Sequence, residues 1–297
     1  MSRSKTSIAL IVVFVGIKLG YTAYRNHSAT TTIATTSSLP ALTTTTDVVT
    51  TTQPSISTTS TPMSRTMATP ETLTPTGDGA LTGRIIAIDP GHNGNNWSVP
   101  SVISQLVPDG RGEKACDTTG TSTNDGYPEA SFSYAVAMRL STLLRAAGAT
   151  VVLTRSNNAS VGPCVNRRAE IGNEAHADVA LSIHGDGAPA SGRGFTVLVP
   201  VRSSVNGAIV TPSSVLARDV VTAFQSAMPI SNYLGSNGVA PRSDLAGLNL
   251  TTVPKVLIEC GNMRNSTDAA LMKSATWQDR AAQALANALT TYLGGNS

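Results

Sequence analysis

Residues 85–92 read IIAIDPGH: three isoleucines and an alanine run into Asp89, a Pro-Gly pair and then His92. Apolar, β-branched residues closed by Pro-Gly read as a short buried strand that stops abruptly. His92 therefore falls just past the carboxyl end of the strand, where open α/β sheets place their ligand crevices. Two later stretches repeat the arrangement. Residues 179–184, VALSIH, form an apolar run ending in His184, and residues 256–259, VLIE, form one ending in Glu259. Buried strands that each deliver a metal-competent side chain at the same end imply a shared site at the carboxyl edge of a parallel sheet.

Working outward, the segment after His92 (residues 93–127) is polar and rich in Gly, Asn, Thr and Asp. It reads as a long loop, and loops of that length in a compact domain are usually functional or disordered. A helix follows from Pro128-Glu129, with Phe132, Ala135, Val136, Leu140, Leu143 and Ala147 at three- and four-residue spacing. Pro128 suits its first turn and Gly148 the position just beyond its end. Residues 150–154 (TVVLT) read as a strand and 165–175 as a helix carrying Arg167 and Arg168. Beyond the VALSIH strand come a strand at 195–201 and a helix at 215–228. An irregular stretch at 231–250, the VLIE strand and a closing helix at 275–293 complete the chain. Strands alternating with helices predict a single α/β domain over residues 83–297. Its sheet is expected to be mostly parallel and twisted, flanked by helices, with the site at its carboxyl edge.

The first part of the chain is built differently. Arg3 and Lys5 precede an apolar run at residues 8–17, followed by Lys18. A basic start and a short hydrophobic stretch read as a signal peptide or signal anchor within residues 1–28. No A-x-A-like cleavage site is evident, yet the run falls short of the ~20 residues of a membrane span. Either way the rest of the chain is expected outside the plasma membrane, in the cell wall or anchored on the outer face. Residues 29–82 are a Thr/Ser/Pro-rich tract with too few apolar side chains to offset the entropy of ordering, and are expected to be a disordered spacer. The tract explains the low overall content of aromatic (4%) and charged (13%) residues. A net charge of +3 without clustered Lys or Arg argues against nucleic acid. It is compatible with an anionic wall polymer.

The chain has four histidines: His27 lies in the leader, His176 follows a helix on a polar turn, and only His92 and His184 sit at strand ends. Catalytic zinc typically takes three protein ligands and keeps one position for water. The third is expected to be a carboxylate, for which Glu113, Asp117, Asp125, Glu129 and Asp186 compete. Glu129 is best placed, at a rigid helix start directly after the long loop. Glu113 and Asp117 lie mid-loop, where geometry should be poorly fixed. Asp186, two residues after His184, is the runner-up, its alternative role being to orient the loop or a histidine ring. Hydrolysis also needs a base that takes a proton from the attacking water. Glu259 fits, because burial at the end of an apolar strand should raise its pKa. No organic cofactor site is indicated.

The segments IAIDPGH, YPEASFSYA, the helix at 168–173 leading into ADVALSIHGD, and PKVLIECGNM together resemble the zinc-dependent N-acetylmuramoyl-L-alanine amidases, type 3, that cleave peptidoglycan. The resemblance runs from Arg84 to about Leu293. It implies one zinc ion per domain, held by His92, Glu129 and His184, with Glu259 catalytic, and a cell-wall hydrolase or autolysin acting on peptidoglycan and muropeptides. Arg168 matches an arginine that commonly precedes the SIH strand, with a structural role. Asp186 stands where many members have Asn, and Cys260 where an apolar residue is usual. The interval 185–194 is too short for the inhibitory helix that regulated members insert there. The competing functions are a zinc peptidase acting within the stem peptide and a non-catalytic wall-binding module. A monomer is expected. Cys116 and Cys164 flank the unit beginning at Glu129 and are predicted to form a disulfide in an exported chain, whereas Cys260, at a buried strand end, should stay a thiol.

Overall fold

The computed structural model describes residues 65–294. The expected leader, and the spacer as far as residue 64, lie outside them. The strands are β1 (Glu71–Leu73), β2 (Ile85–Pro90), β3 (Leu106–Pro108), β4 (Glu113–Ala115), β5 (Thr150–Leu153), β6 (Val179–Asp186), β7 (Thr196–Pro200), β8 (Val239–Arg242) and β9 (Lys255–Asn262). The helices are α1 (Pro100–Ile103), α2 (Glu129–Ala146), α3 (Val165–Glu174), α4 (Val210–Phe224), α5 (Ala246–Asn249), α6 (Ser266–Lys273) and α7 (Ala275–Gly294).

The main sheet has the order β1-β5-β2-β6-β9-β7-β8. Its central strands β5, β2, β6 and β9 run parallel, while β1 pairs antiparallel with β5 and β7 antiparallel with β9. The expected mostly parallel α/β sheet is therefore present. The three strands singled out in the sequence, β2, β6 and β9, are adjacent.

Because successive side chains on a strand point to opposite faces, each central strand feeds two layers. Ile86 and Ile88, Leu181 and Ile183, and Val256 and Ile258 join the large core beneath α2, α4 and α7. At the centre of that core Phe132, Phe224 and Trp277 pack ring against ring. The alternate residues turn to the other face, where Ala87, Ala180 and Val253 make a thin apolar layer. The alanines there let α3 come close: a Cβ on Gly172 would lie 3.5 Å from that of Ala87. Further along the same face the residues become polar and buried: Asp89, Ser182 and Lys255. His184 and Glu259 are on this face too, as register partners across β6 and β9.

Four expectations are corrected. The spacer does not reach residue 82: β1 adds an edge strand to the sheet, and Leu81 is fully buried. Residues 93–127 are not a bare loop, for they carry α1 and the β3–β4 hairpin. The stretch 231–250, expected to be irregular, contains β8 and α5, and α6 precedes the final helix. Finally, α4 begins at Val210 and ends at Phe224, earlier at both ends than the 215–228 read from its apolar residues.

Candidate metal centre

Beyond β2 the chain turns at Pro90-Gly91 into His92, which adopts φ +56, a left-handed conformation uncommon for a residue with a side chain. Two buried guanidinium groups hold that turn. Arg168 donates to the carbonyls of Pro90 (2.8 Å) and His92 (2.9 Å), and Arg155 to those of Pro90 (3.0 Å) and Gly91 (3.3 Å). Arg155 also reaches the carbonyl of Ala130 at 2.9 Å, fastening the start of α2 to the end of β2. Strain at His92 is thus offset by charge-assisted hydrogen bonds from elements on either side.

Glu129 opens α2 and is buried. Its Oε1 lies 2.8 Å from Nδ1 of His184 and 3.3 Å from Nε2 of His92. Its Oε2 accepts from the backbone N–H of Thr121 at 2.8 Å. The imidazoles of His92 and His184 meet edge to face with centroids 5.0 Å apart. Burial works against charge on Glu129, but the two histidines beside it outweigh burial and hold its carboxyl well below the usual range. These donor atoms of His92, Glu129 and His184 lie within 4.8 Å of one another, so the group could hold a metal ion. Two imidazoles and a carboxylate are a donor set that zinc accepts, and three ligands leave one position open.

Glu259 stands at the same crevice. Its Oε2 is buried and has no hydrogen-bond partner. Burial first, and then the charges of Glu129 and Asp186, push its pKa well above the ordinary carboxyl value. The residue as a whole is half-buried, but a buried carboxylate oxygen without a partner is costly unless something else uses it. The crevice is a cavity of about 520 Å³, with Thr121, Gly185 and Leu248 among its lining residues besides the donors and Glu259.

The other sequence candidates are elsewhere. Glu113 is exposed on β4, and Asp125 is exposed and paired with Lys273. Asp186 lines the cavity but accepts from the Tyr233 hydroxyl at 2.9 Å and from the Gly187 N–H, the loop-orienting role read as its alternative. His176 sits on a turn with φ +47 and takes no part in the donor cluster. The expectation that Asp117 would be poorly fixed is wrong. It is buried against His92 and Arg168, and their interactions outweigh burial to hold its pKa at about 2. The signal was its neighbour: Cys116 forms the predicted disulfide with Cys164, so this part of the loop is pinned to the start of α3. Cys260 is a buried free thiol, as expected. Asp89 and Lys255 were not singled out; their pairing at 3.4 Å lies beneath the site and depends on strands distant in sequence.

A carboxyl kept protonatable beside a cluster of ligand-type donors, all at the mouth of a parallel sheet, is equipment for hydrolysis, and the molecule is of the hydrolase class. Comparison with known proteins narrows that class. The family described as N-acetylmuramoyl-L-alanine amidase matches residues 86–291. The N-acetylmuramoyl-L-alanine amidase Rv3717 of Mycobacterium tuberculosis is 43% identical over 215 residues, spanning 72% of this chain and 88% of the relative. The crystal structure of the amidase Ami1 from Mycobacterium smegmatis superposes with a TM-score of 0.69 at 41% identity, covering 72% of this chain and 99% of the other. The apo form of Ami1 from Mycobacterium abscessus gives 0.68 at 41% identity, covering 71% and 99%. The chain belongs to the N-acetylmuramoyl-L-alanine amidase family.

Proposed function

We propose that this domain hydrolyses the amide between the lactyl group of N-acetylmuramic acid and the L-alanine of the stem peptide in peptidoglycan. In this reading one zinc ion is held by His92, Glu129 and His184, and Glu259 is the acid–base group. The observation that carries it is the juxtaposition of a compact donor cluster with Glu259, a half-buried residue whose buried Oε2 has no hydrogen-bond partner. When bound, zinc supplies a Lewis acid for the scissile carbonyl and acidifies the attacking water. Glu259 accepts the proton of that water and passes it to the departing nitrogen, a task that a pKa raised by burial suits. Arg155 and Arg168 keep His92 aimed, and the start of α2 keeps Glu129 aimed.

The place of action follows from the same reading. Peptidoglycan lies outside the plasma membrane, and the basic, apolar start of the chain reads as the element that sends it there. Among the described residues no helix is long and apolar enough to cross a membrane. In this reading the domain acts on the wall as a monomer.

The roles separate by substitution. Glu259→Gln keeps shape but cannot accept a proton, and turnover should fall by about 10²- to 10⁴-fold with zinc content unchanged. Glu129→Gln should lose zinc first and activity in consequence. Zinc analysis and muropeptide turnover on both variants check this. Loss of zinc in Glu259→Gln with retention in Glu129→Gln would mean that ligand and base are exchanged. Normal turnover in both would overturn the roles given to Glu259 and Glu129, whereas absent turnover in the zinc-loaded wild type would leave only wall binding.

A further inference from the structure

We propose that Asp117 is the positioning residue of the metal centre, fixing the His92 imidazole in the tautomer that leaves Nε2 free to ligate. The inference deepens the reading of His92, Glu129 and His184 as zinc ligands and rests on it. Nδ1 of His92 lies 3.0 Å from Oδ1 of Asp117 and 3.2 Å from the carbonyl oxygen of Thr118. The Thr118 hydroxyl is a third neighbour at 3.3 Å. A carboxylate and a carbonyl can only accept, so Nδ1 must carry the proton. The free lone pair is then on Nε2, the nitrogen that faces Glu129 at 3.3 Å. The partner on the far nitrogen of a histidine sets which nitrogen a metal can take, and how firmly the ring is held.

Asp117 is itself held on every side. Its Oδ2 accepts from Arg168 Nη2 at 3.0 Å, its Oδ1 from its neighbour's N–H at 2.7 Å, and its own N–H donates to the carbonyl of Ile103 at 3.1 Å. The side chain is 3% exposed. The preceding residue, Cys116, is bonded to Cys164, the N-cap of the helix that carries Arg168. Both arms of the Asp117–Arg168 pair therefore spring from one covalent clamp. Asp117 helps to balance the buried Arg168, because the single charge of Asp89 is shared between Arg168 at 2.9 Å and Lys255 at 3.4 Å. What Asp117 adds to that balance is the contact with His92.

The test is zinc affinity, measured on the metal-depleted full chain by competition with a chromogenic chelator. Asp117→Ala should weaken zinc about 10- to 100-fold, and Asp117→Asn, which can still accept a hydrogen bond, should weaken it less. Turnover should recover in both at saturating zinc. Unchanged zinc affinity in folded variants overturns the proposal. Should the variants fail to fold, the wild-type protein decides: nitrogen NMR of the zinc-loaded protein should show His92 protonated at Nδ1 and metallated at Nε2. The reverse assignment overturns the proposal. If the wild-type protein takes up no zinc, the metal reading falls and this inference falls with it. If the wild type binds zinc and the Asp117 variants bind it equally well, only the inference fails.

Discussion

Gly91 decides how closely the two strand-end histidines approach. A Cβ there would lie 2.2 Å from Cε1 of His184, so the imidazole would have to shift. Gly91→Ala should push the His184 ring off Glu129 and lower zinc affinity by about tenfold or more. Zinc titration of the metal-depleted variant checks this, and an unchanged affinity would show that the ring has slack. In the sequence Gly91 is only half of a Pro-Gly stop, because the ring it makes room for comes from a strand 93 residues away by the Asp89–Ser182 pairing alongside. His92, His184 and Glu259 were legible because each ends an apolar run, a local pattern. Asp117 was not, since polarity in a loop says nothing of what covers it. Its fixed position comes from Arg168 and a disulfide, both contacts across sequence. Arg155 was missed for a related reason: its partners are backbone carbonyls of Pro90, Gly91 and Ala130, which carry no side-chain signature.

Among the elements, β2, β6 and β9 announce themselves because a parallel strand buried on both faces needs an unbroken apolar run. The short edge strand β8 is half solvated and contains Pro241, so its residues carry no such pattern. The helix α6 is capped by Asn265, whose side chain accepts from the N–H groups of Thr267 and Asp268. That signal is local, but the helix is brief and only weakly amphipathic. The disulfide acts at this scale, tying the end of the β3–β4 hairpin to the start of α3 over a separation of 48 residues. Thiol counting on the denatured, unreduced protein should find one free cysteine, Cys260. Replacing Cys116 and Cys164 with serine should cost about 4 kcal/mol by chain entropy, read as a lower denaturation midpoint. A count of three thiols, or an unchanged midpoint, would remove the clamp from the account.

At the scale of the whole molecule, the folded part begins before the point where composition changes. Residues 66–73 lie along the domain: Ala68 and Val161 share a backbone hydrogen bond, and β1 covers the outer edge of β5. Thr/Ser/Pro-rich composition hides this, since a short edge strand needs few apolar side chains. A chain begun at Gly83 should therefore be less stable than one begun at Arg65, with a lower thermal midpoint; equal midpoints would restore the boundary at residue 82. The central claim is that this whole arrangement serves one bond and needs one metal. It is tested most directly by mass spectrometry of a purified muropeptide incubated with metal-depleted protein, before and after zinc is restored. The account predicts no cleavage without metal. With zinc it predicts free stem peptide bearing an L-alanine amino terminus and muramic acid with a free lactyl carboxylate. Cleavage within the peptide, or cleavage that survives verified metal removal, would contradict it.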